Sequence, residues 1–288
     1  MSKHSRRSFL VRTAALVPVA RLGFGDPLKA SNLGVQLYTV RNVIDKDPAA
    51  TLRAIQEIGY QELEATYDKL DEIWPALKQT TLKPVSLHIN KNLYTADESQ
   101  FDASKLDQVK QQGFEYMVVP SLQLAEGGAD GVKRTAEKMN RLGEQAKSKG
   151  MKLCYHNHAH DFQPVDGTPA LRMLLEETEK DLVFLEMDIF WVSVAGHDPV
   201  AALKAHSGRV PLLHLKDKAA GVPVQFNEKV PKDAFKEVGS GSIDIPAVLK
   251  AADAAGVRSY FVEQDQTPGD PIASLRKSYQ FLSSHFEG

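Results

Sequence analysis

Val183-Phe184-Leu185-Glu186-Met187-Asp188 is followed by Asp198-Pro199 and then by Pro211-Leu212-Leu213-His214-Leu215-Lys216. These three pieces spell one unit. Each apolar run alternates with period two and ends in polar side chains that share a face, as a strand does. Between them an Asp followed at once by Pro is a helix start, with the carboxylate as N-cap and proline at the first helical position. The same unit repeats in both directions. Candidate strands are Leu33–Thr39, Glu62–Thr66, Pro84–His88, Tyr116–Pro120, Lys152–His158, Val183–Asp188, Pro211–Lys216 and Tyr260–Glu263. Helical stretches are expected between them, near 48–58, 68–79, 101–112, 129–149, 169–178, 199–206, 245–255 and 271–285, with further starts at Asp47-Pro48, Thr168-Pro169 and Asp270-Pro271. Eight β-then-α units in about 255 residues predict a closed (β/α)8 TIM barrel, and no GxGxxG follows the first strand to suggest an open dinucleotide-binding sheet. The longest irregular piece, 217–243, follows the seventh strand, where a loop shapes the barrel mouth.

Composition fits one large α/β domain, with 288 residues and a formal net charge of −2. No block of Lys and Arg lies inside the body of the chain, which argues against a nucleic-acid partner. The one cysteine, Cys154, excludes an intrachain disulfide framework and reads as a small core residue. Residues 1–30 differ from the rest: Ser5-Arg6-Arg7-Ser8-Phe9-Leu10 precedes a weakly apolar stretch interrupted by Arg12. This is similar to a twin-arginine export signal, which implies periplasmic placement for a barrel spanning 31–288. The stretch is too short and too interrupted to serve as a permanent membrane anchor.

Polar residues at the C-terminal ends of barrel strands converge on one site. Here they are abundant: Glu62 and Glu64, Ser86 and His88, His156 and His158, Glu186 and Asp188, His214 and Lys216, Glu263 and Asp265. His156, Asp188, His214 and Glu263 fall at the ends of four consecutive strands. Desolvating two imidazoles and two carboxylates together costs several kcal/mol unless something pairs with them, and a divalent cation would do so. Mixed imidazole and carboxylate donors suit a transition metal better than calcium. One ion is expected, with Mn, Co, Zn, Mg and Fe all open.

The segments Leu33–Arg41, Tyr155–His158, Glu186–Asp188, Leu213–Asp217, Gly239–Asp244 and Phe261–Glu263 resemble the sugar phosphate isomerase/epimerase, or xylose isomerase-like TIM barrel, family. The likeness covers the chain after residue 30, and its most specific pieces are His-Leu-Lys-Asp at 214–217 and Gly-x-Gly-x-Ile-Asp at 239–244. Relatives include ketose 3-epimerases, hydroxypyruvate isomerases, inosose dehydratases and endonuclease IV. In the ketose epimerases one metal is held by Glu, Asp, His and Glu, and the last three match Asp188, His214 and Glu263. The first falls on His156, a departure that weakens a symmetrical two-base epimerase. His158 is an alternative strand-five ligand or base. Barrels of this group often pair, which leaves a homodimer open.

The resemblance implies proton abstraction next to the carbonyl of a keto-sugar, through an enediolate, with Glu263, His158 and Lys216 as catalytic candidates. Lys216 would hold a hydroxyl or oxyanion, or else pair with Glu186. Glu64, His88, Glu186 and Trp191 are candidates for contacting the sugar, the alternative being satisfied interior polar groups and, for Trp191, an ordinary core aromatic. An isomerase/epimerase is the leading expectation. The runner-up is a lyase or dehydratase that cleaves 3-keto-glycosides by β-elimination, which export would favour. An endonuclease would need a basic groove not visible in the charge count, and a non-catalytic sugar-binding barrel would need no ligand set.

Overall fold

A computed structural model describes residues 32–89 and 103–285. Eight strands, β1 Leu33–Gln36, β2 Glu62–Thr66, β3 Lys83–His88, β4 Tyr116–Val119, β5 Lys152–His156, β6 Val183–Asp188, β7 Leu212–Leu215 and β8 Ser259–Val262, close into a barrel in the order β1-β8-β7-β6-β5-β4-β3-β2. Every pair is parallel, and β1 seals the barrel against β8 through Leu33↔Tyr260 and Val35↔Val262. The helices between them are α1 Pro48–Ile58, α2 Tyr67–Leu77, α3 Ala103–Gln111, α4 Gly128–Ser148, α5 Ala170–Glu177, α6 Pro199–Ala205, α7 Ile245–Ala255 and α8 Pro271–Leu282. The expected TIM barrel is the observed fold. The export-signal expectation at 1–30 and the start of the helix expected near 101–112 lie outside the described residues. Among the described residues no helix is long and apolar enough to cross a membrane.

Two apolar layers hold it. The outer one packs alternate strand residues such as Leu63, Leu153, Met187 and Leu215 against the helices. The inner one fills the barrel with Val85, Tyr116, Val118, Cys154, Leu212 and Phe261, with Phe184 beside them. Cys154 is thus a buried core thiol. Phe261 needs a neighbour without a side chain. A Cβ on Gly34 would lie 2.8 Å from its ring and 2.7 Å from the Glu62 carbonyl, so glycine on β1 lets the ring occupy the barrel axis.

Three of the four Asp/Thr-Pro signals behave as read. Asp47, Asp198 and Asp270 cap the N–H groups of Ala50, Val200 and Ile272. Thr168-Pro169 instead pairs with Pro164-Val165 in a small antiparallel ladder, and α5 starts one residue later. β1 is shorter than expected because the Gln36 side chain accepts from the Tyr38 N–H and turns Leu37–Val40 into a 3-10 helix.

Candidate active site

The site is built where β5 to β8 end. Asp188 closes β6 and caps the short helix Ile189–Val194: its Oδ1 accepts from the N–H groups of Phe190 and Trp191, at 2.9 and 3.1 Å. Oδ2 is left to face the barrel axis. Asn157 clamps the Asp188 backbone from β5's end, donating to its carbonyl at 3.2 Å and accepting from its N–H at 3.0 Å. This fixes the carboxylate before any ligand arrives, and sequence reading passed over Asn157 because it points away from its two histidine neighbours.

His156, Asp188, His214 and Glu263 each offer one donor atom, and the four lie within 4.8 Å of one another. His214 Nδ1 is 2.9 Å from Glu263 Oε2 and 3.9 Å from Asp188 Oδ2, and His156 Nε2 is 3.8 Å from the same Asp188 oxygen. Donors around a tetrahedral ion with bonds of about 2.0–2.2 Å sit roughly 3.3–3.6 Å apart, a spacing that the 2.9 to 3.9 Å separations here bracket. The opposite nitrogen of each imidazole meets a carboxylate. His156 Nδ1 is 3.0 Å from Glu186 Oε2, and His214 Nε2 is 2.7 Å from Glu64 Oε1. Proton donation at those nitrogens fixes tautomer and ring orientation and turns the lone pairs of the others toward the shared space.

Glu64 and Glu186 are fully buried and do not line the cavity, contrary to the sugar-contacting role expected for them. Glu64 accepts from Gln36 at 2.6 Å and from Ser86, and His88 bridges the two glutamates at 2.9 and 2.8 Å. Glu186 Oε2 is also 3.4 Å from His214 Nε2, so His88, His156, Glu186 and His214 form a second, deeper group with metal-ligand character. Its depth and its hydrogen bonds suit it to holding the upper histidines in place. Trp191 also departs from expectation. It is 2% exposed, its ring packing against Phe190 and Phe235 and lying beneath Lys216 and His158 rather than at the cavity wall.

Lys216 does not pair with Glu186. Its ammonium lies 2.9 Å from Asp188 Oδ2, 2.8 Å from Glu263 Oε2 and 2.8 Å from Asp265 Oδ1. It therefore shares with the histidines the two oxygens that an ion would use, while Asp265 gives it a third partner.

Electrostatics separate the groups. Burial, then the neighbouring His214 and His158, pushes the His156 imidazole well below its ordinary range, and burial pushes His158 down to about 3. Both rings are neutral at operating pH, as a ligand or proton acceptor requires. For His88 and His214 burial acts in the same direction but the Glu64 and Glu186 charges outweigh it, raising His88 to about 10 and His214 well above normal, so an ion would take the Nδ1 lone pair of His214 only by displacing the proton that faces Glu263. Burial likewise opposes the charge of Glu263, yet Lys216 and His214 hold that carboxyl below its usual range. Three carboxylates, Asp188, Glu263 and Asp265, thus meet the one Lys216 ammonium, while Glu64 and Glu186 face His88 and His214. Glu186 Oε1 is buried with no hydrogen-bond partner among the described residues. The donor set and the excess of negative charge both fit a divalent cation held by His156, Asp188, His214 and Glu263.

Above these groups opens a cavity of about 370 Å³, into which His88, His156, His158, Lys216, Glu263 and Asp265 project. Tyr38, Tyr67 and Glu228 also line it, and sequence reading singled out none of them. Glu228 belongs to the 217–243 loop and is tied across the mouth by His160, whose other nitrogen is 2.8 Å from the Leu122 carbonyl oxygen.

Comparison with known proteins agrees with this architecture. An inosose dehydratase of Clostridium perfringens is 33% identical over 160 residues, 52% of this chain and 53% of that protein. The chain thus spans about half the length of the curated relatives it matches. A sugar phosphate isomerase/epimerase from Parabacteroides distasonis superposes with a TM-score of 0.71 at 23% identity, covering 95% of this chain and 98% of the other. The IolI protein, solved with a bound zinc atom, superposes with a TM-score of 0.68 at 19% identity, over 89% and 100% of the two chains. At these identities the two structures share the fold alone. Residues 52–285 match the family described as Xylose isomerase-like TIM barrel, and the chain belongs to that family.

Proposed function

We propose that this chain is a divalent-metal-dependent enzyme that removes a proton from the carbon next to the ketone of a keto-sugar or related polyhydroxylated ring, and completes the reaction by β-elimination. The observation that carries the reading is the unequal equipment of β5 and β8, three places apart around the barrel. β8 brings the Glu263 carboxylate to the cavity, whereas β5 brings His156, whose ring is committed to Glu186 and Asp188. An ion held by the four converging donors would polarise the ketone and an adjacent hydroxyl oxygen and offset the charge of the enediolate.

The chain's own groups supply the rest. Glu263 accepts the proton through the carboxylate oxygen turned to the cavity, and Lys216 holds the developing oxyanion. His158, neutral and at the wall, hydrogen-bonds the departing oxygen, which leaves with the proton that Glu263 took up. The C–H and C–O bonds break, the electron pair of the C–H bond becomes a C=C bond conjugated to the carbonyl, and the leaving oxygen departs as water or an alcohol. The name of the C. perfringens relative supports elimination.

A second reading is favoured by the names of structural neighbours such as L-ribulose 3-epimerase and by the Glu263 and His158 pair, which could exchange protons without expelling a group. The Arg6-Arg7 leader extends the proposal to export of the folded, metal-loaded barrel to the periplasm, and cell fractionation with both arginines changed to lysine tests that part. The deciding experiment incubates metal-loaded protein in deuterated water with an inosose, free ketoses and 3-keto-glucosides. Release of water or an alcohol supports elimination. Deuterium in recovered sugar without any elimination product supports the isomerase/epimerase. Neither outcome would leave only a binding barrel.

A further inference from the structure

Beside the central cavity lies a second pocket of about 360 Å³, between the turn that follows β1 and the start of α2. The two share walls at Tyr38, Thr66 and Asp68, so the second pocket adjoins the space beside the catalytic groups. Its floor is aliphatic: Leu37, Ile44 and Ile73 are nearly buried beneath it. Its rim is polar, with Asp45 and Lys69 paired at 3.2 Å.

Tyr38, which divides the two spaces, is 43% exposed, against 5% for Leu37 beside it. An exposed aromatic is worth explaining when it is also held still, and this one is. Its N–H is bound by Gln36 and its carbonyl accepts from Arg41 at 2.8 Å. The Arg41 guanidinium lies 4.0 Å from the ring centroid and is itself anchored to the Asp265 carbonyl at 2.6 Å. The ring is thus stiffened at the boundary, at the same Asp265 that steadies Lys216.

We infer that this pocket is a subsite for an aromatic aglycone, so that the substrate class is an aryl glycoside of a keto-sugar, with its sugar ring under the catalytic groups and its aromatic ring against Tyr38 and the aliphatic floor. A second sugar in this position would meet few polar partners on Leu37, Ile44 and Ile73, whereas a flat ring buries apolar surface there and places phenolic hydroxyls at the charged rim. The inference rests on the proposed sugar-handling role of the main cavity and adds to it the group attached to the sugar.

The test compares phenyl 3-keto-glucoside, methyl 3-keto-glucoside and a 3-keto-disaccharide by titration calorimetry and by kcat/KM, using the metal-loaded full chain. The phenyl compound is expected to bind at least tenfold more tightly than the methyl one, and Ile73→Phe or Ile44→Phe, which fill the floor, to bring that ratio near one. Equal binding of phenyl and methyl compounds, or an unchanged ratio in a folded floor variant, overturns the subsite while leaving the sugar reading intact. A disaccharide that binds as well as the phenyl compound overturns the aromatic assignment. Failure of all three to bind removes the sugar reading and the subsite together. Should neither floor variant fold, the comparison on the unaltered chain decides.

Discussion

Asp188 divides its two oxygens between a helix cap and the barrel axis, so changing its charge need not change its shape. Asn at this position can still cap Phe190 and Trp191, since Asn ranks with Asp as an N-cap. Asp188→Asn is therefore expected to fold and to lose its metal, falling from about one ion per chain to a small fraction by elemental analysis. Glu186→Gln touches the orientation of His88, His156 and His214 but removes no candidate ligand of the upper site, so it should still take up an ion with affinity lowered roughly 10–100-fold in a chelator competition. Equal affinity in the two variants would refute the division between holding and orienting. That division was not legible in the chain. Alternation tells which face of a strand Glu186 and Asp188 occupy, but their depth depends on register, which pairs Glu186 with His156 and Asp188 with His214. At the other end of β2, Glu62 gives a test of buried charge. Burial raises its carboxyl to about 7 despite a hydrogen bond from Ser259, and Oε2 has no hydrogen-bond partner among the described residues. Folded Glu62 keeps its proton at pH values where the unfolded chain has lost it, so its contribution is intact below about pH 4.5 and is lost as pH rises through about 7. Glu62→Gln should accordingly stabilise the protein at pH 8, by up to about 3 kcal/mol, and have little effect at pH 4.5. Thermal melts at the two pH values would show it, and an equal shift at both would contradict it.

At the scale of elements, the two most specific segments of the sequence prove to be one structure. The Asp217 carboxylate, 1% exposed, accepts from the backbone N–H groups of Lys218, Gly239, Gly241 and Ile243 at 2.7, 3.0, 2.8 and 3.2 Å, pinning both ends of the 217–243 loop to one point. Gly241 is required there because a Cβ would run into the same carboxylate. Four charge-assisted bonds cannot be replaced by one water, so Asp217→Ala is expected to cost about 3 kcal/mol and lower Tm by roughly 10 °C. The amides of Gly239, Gly241 and Ile243 should then lose protection from hydrogen exchange. Unchanged protection would show that the loop is held elsewhere. His-Leu-Lys-Asp and Gly-x-Gly-x-Ile-Asp could each be recognised in the chain, but not their contact, which arises only when the loop returns. Strand and helix order was legible because Asp-Pro starts and period-two runs are local signals. The helix Ile189–Val194 was not, since its cap is Asp188, a residue already read as the end of a strand.

Across the whole molecule, the candidate ligands come from β5, β6, β7 and β8, the carboxylates that orient them from β2 and β6, and β8 closes the barrel by pairing with β1. An ion at that point joins strands far apart in the chain, and the unfolded chain offers no equivalent cage. Whatever binds the folded state alone raises its stability by RT ln(1 + [L]/Kd), about 4 kcal/mol when free metal is a thousand times Kd. For a domain of this size that is roughly 8–16 °C in Tm. The melting transition of protein stripped with a chelator should move upward as a whole on adding Zn or Mn, because the cross-link belongs to the barrel and not to one helix. Asp188→Asn should melt at the same temperature with and without metal. If the unaltered chain also melts identically in chelator and in excess metal, the four donors hold no ion, and both the catalytic reading and the charge argument behind it fall.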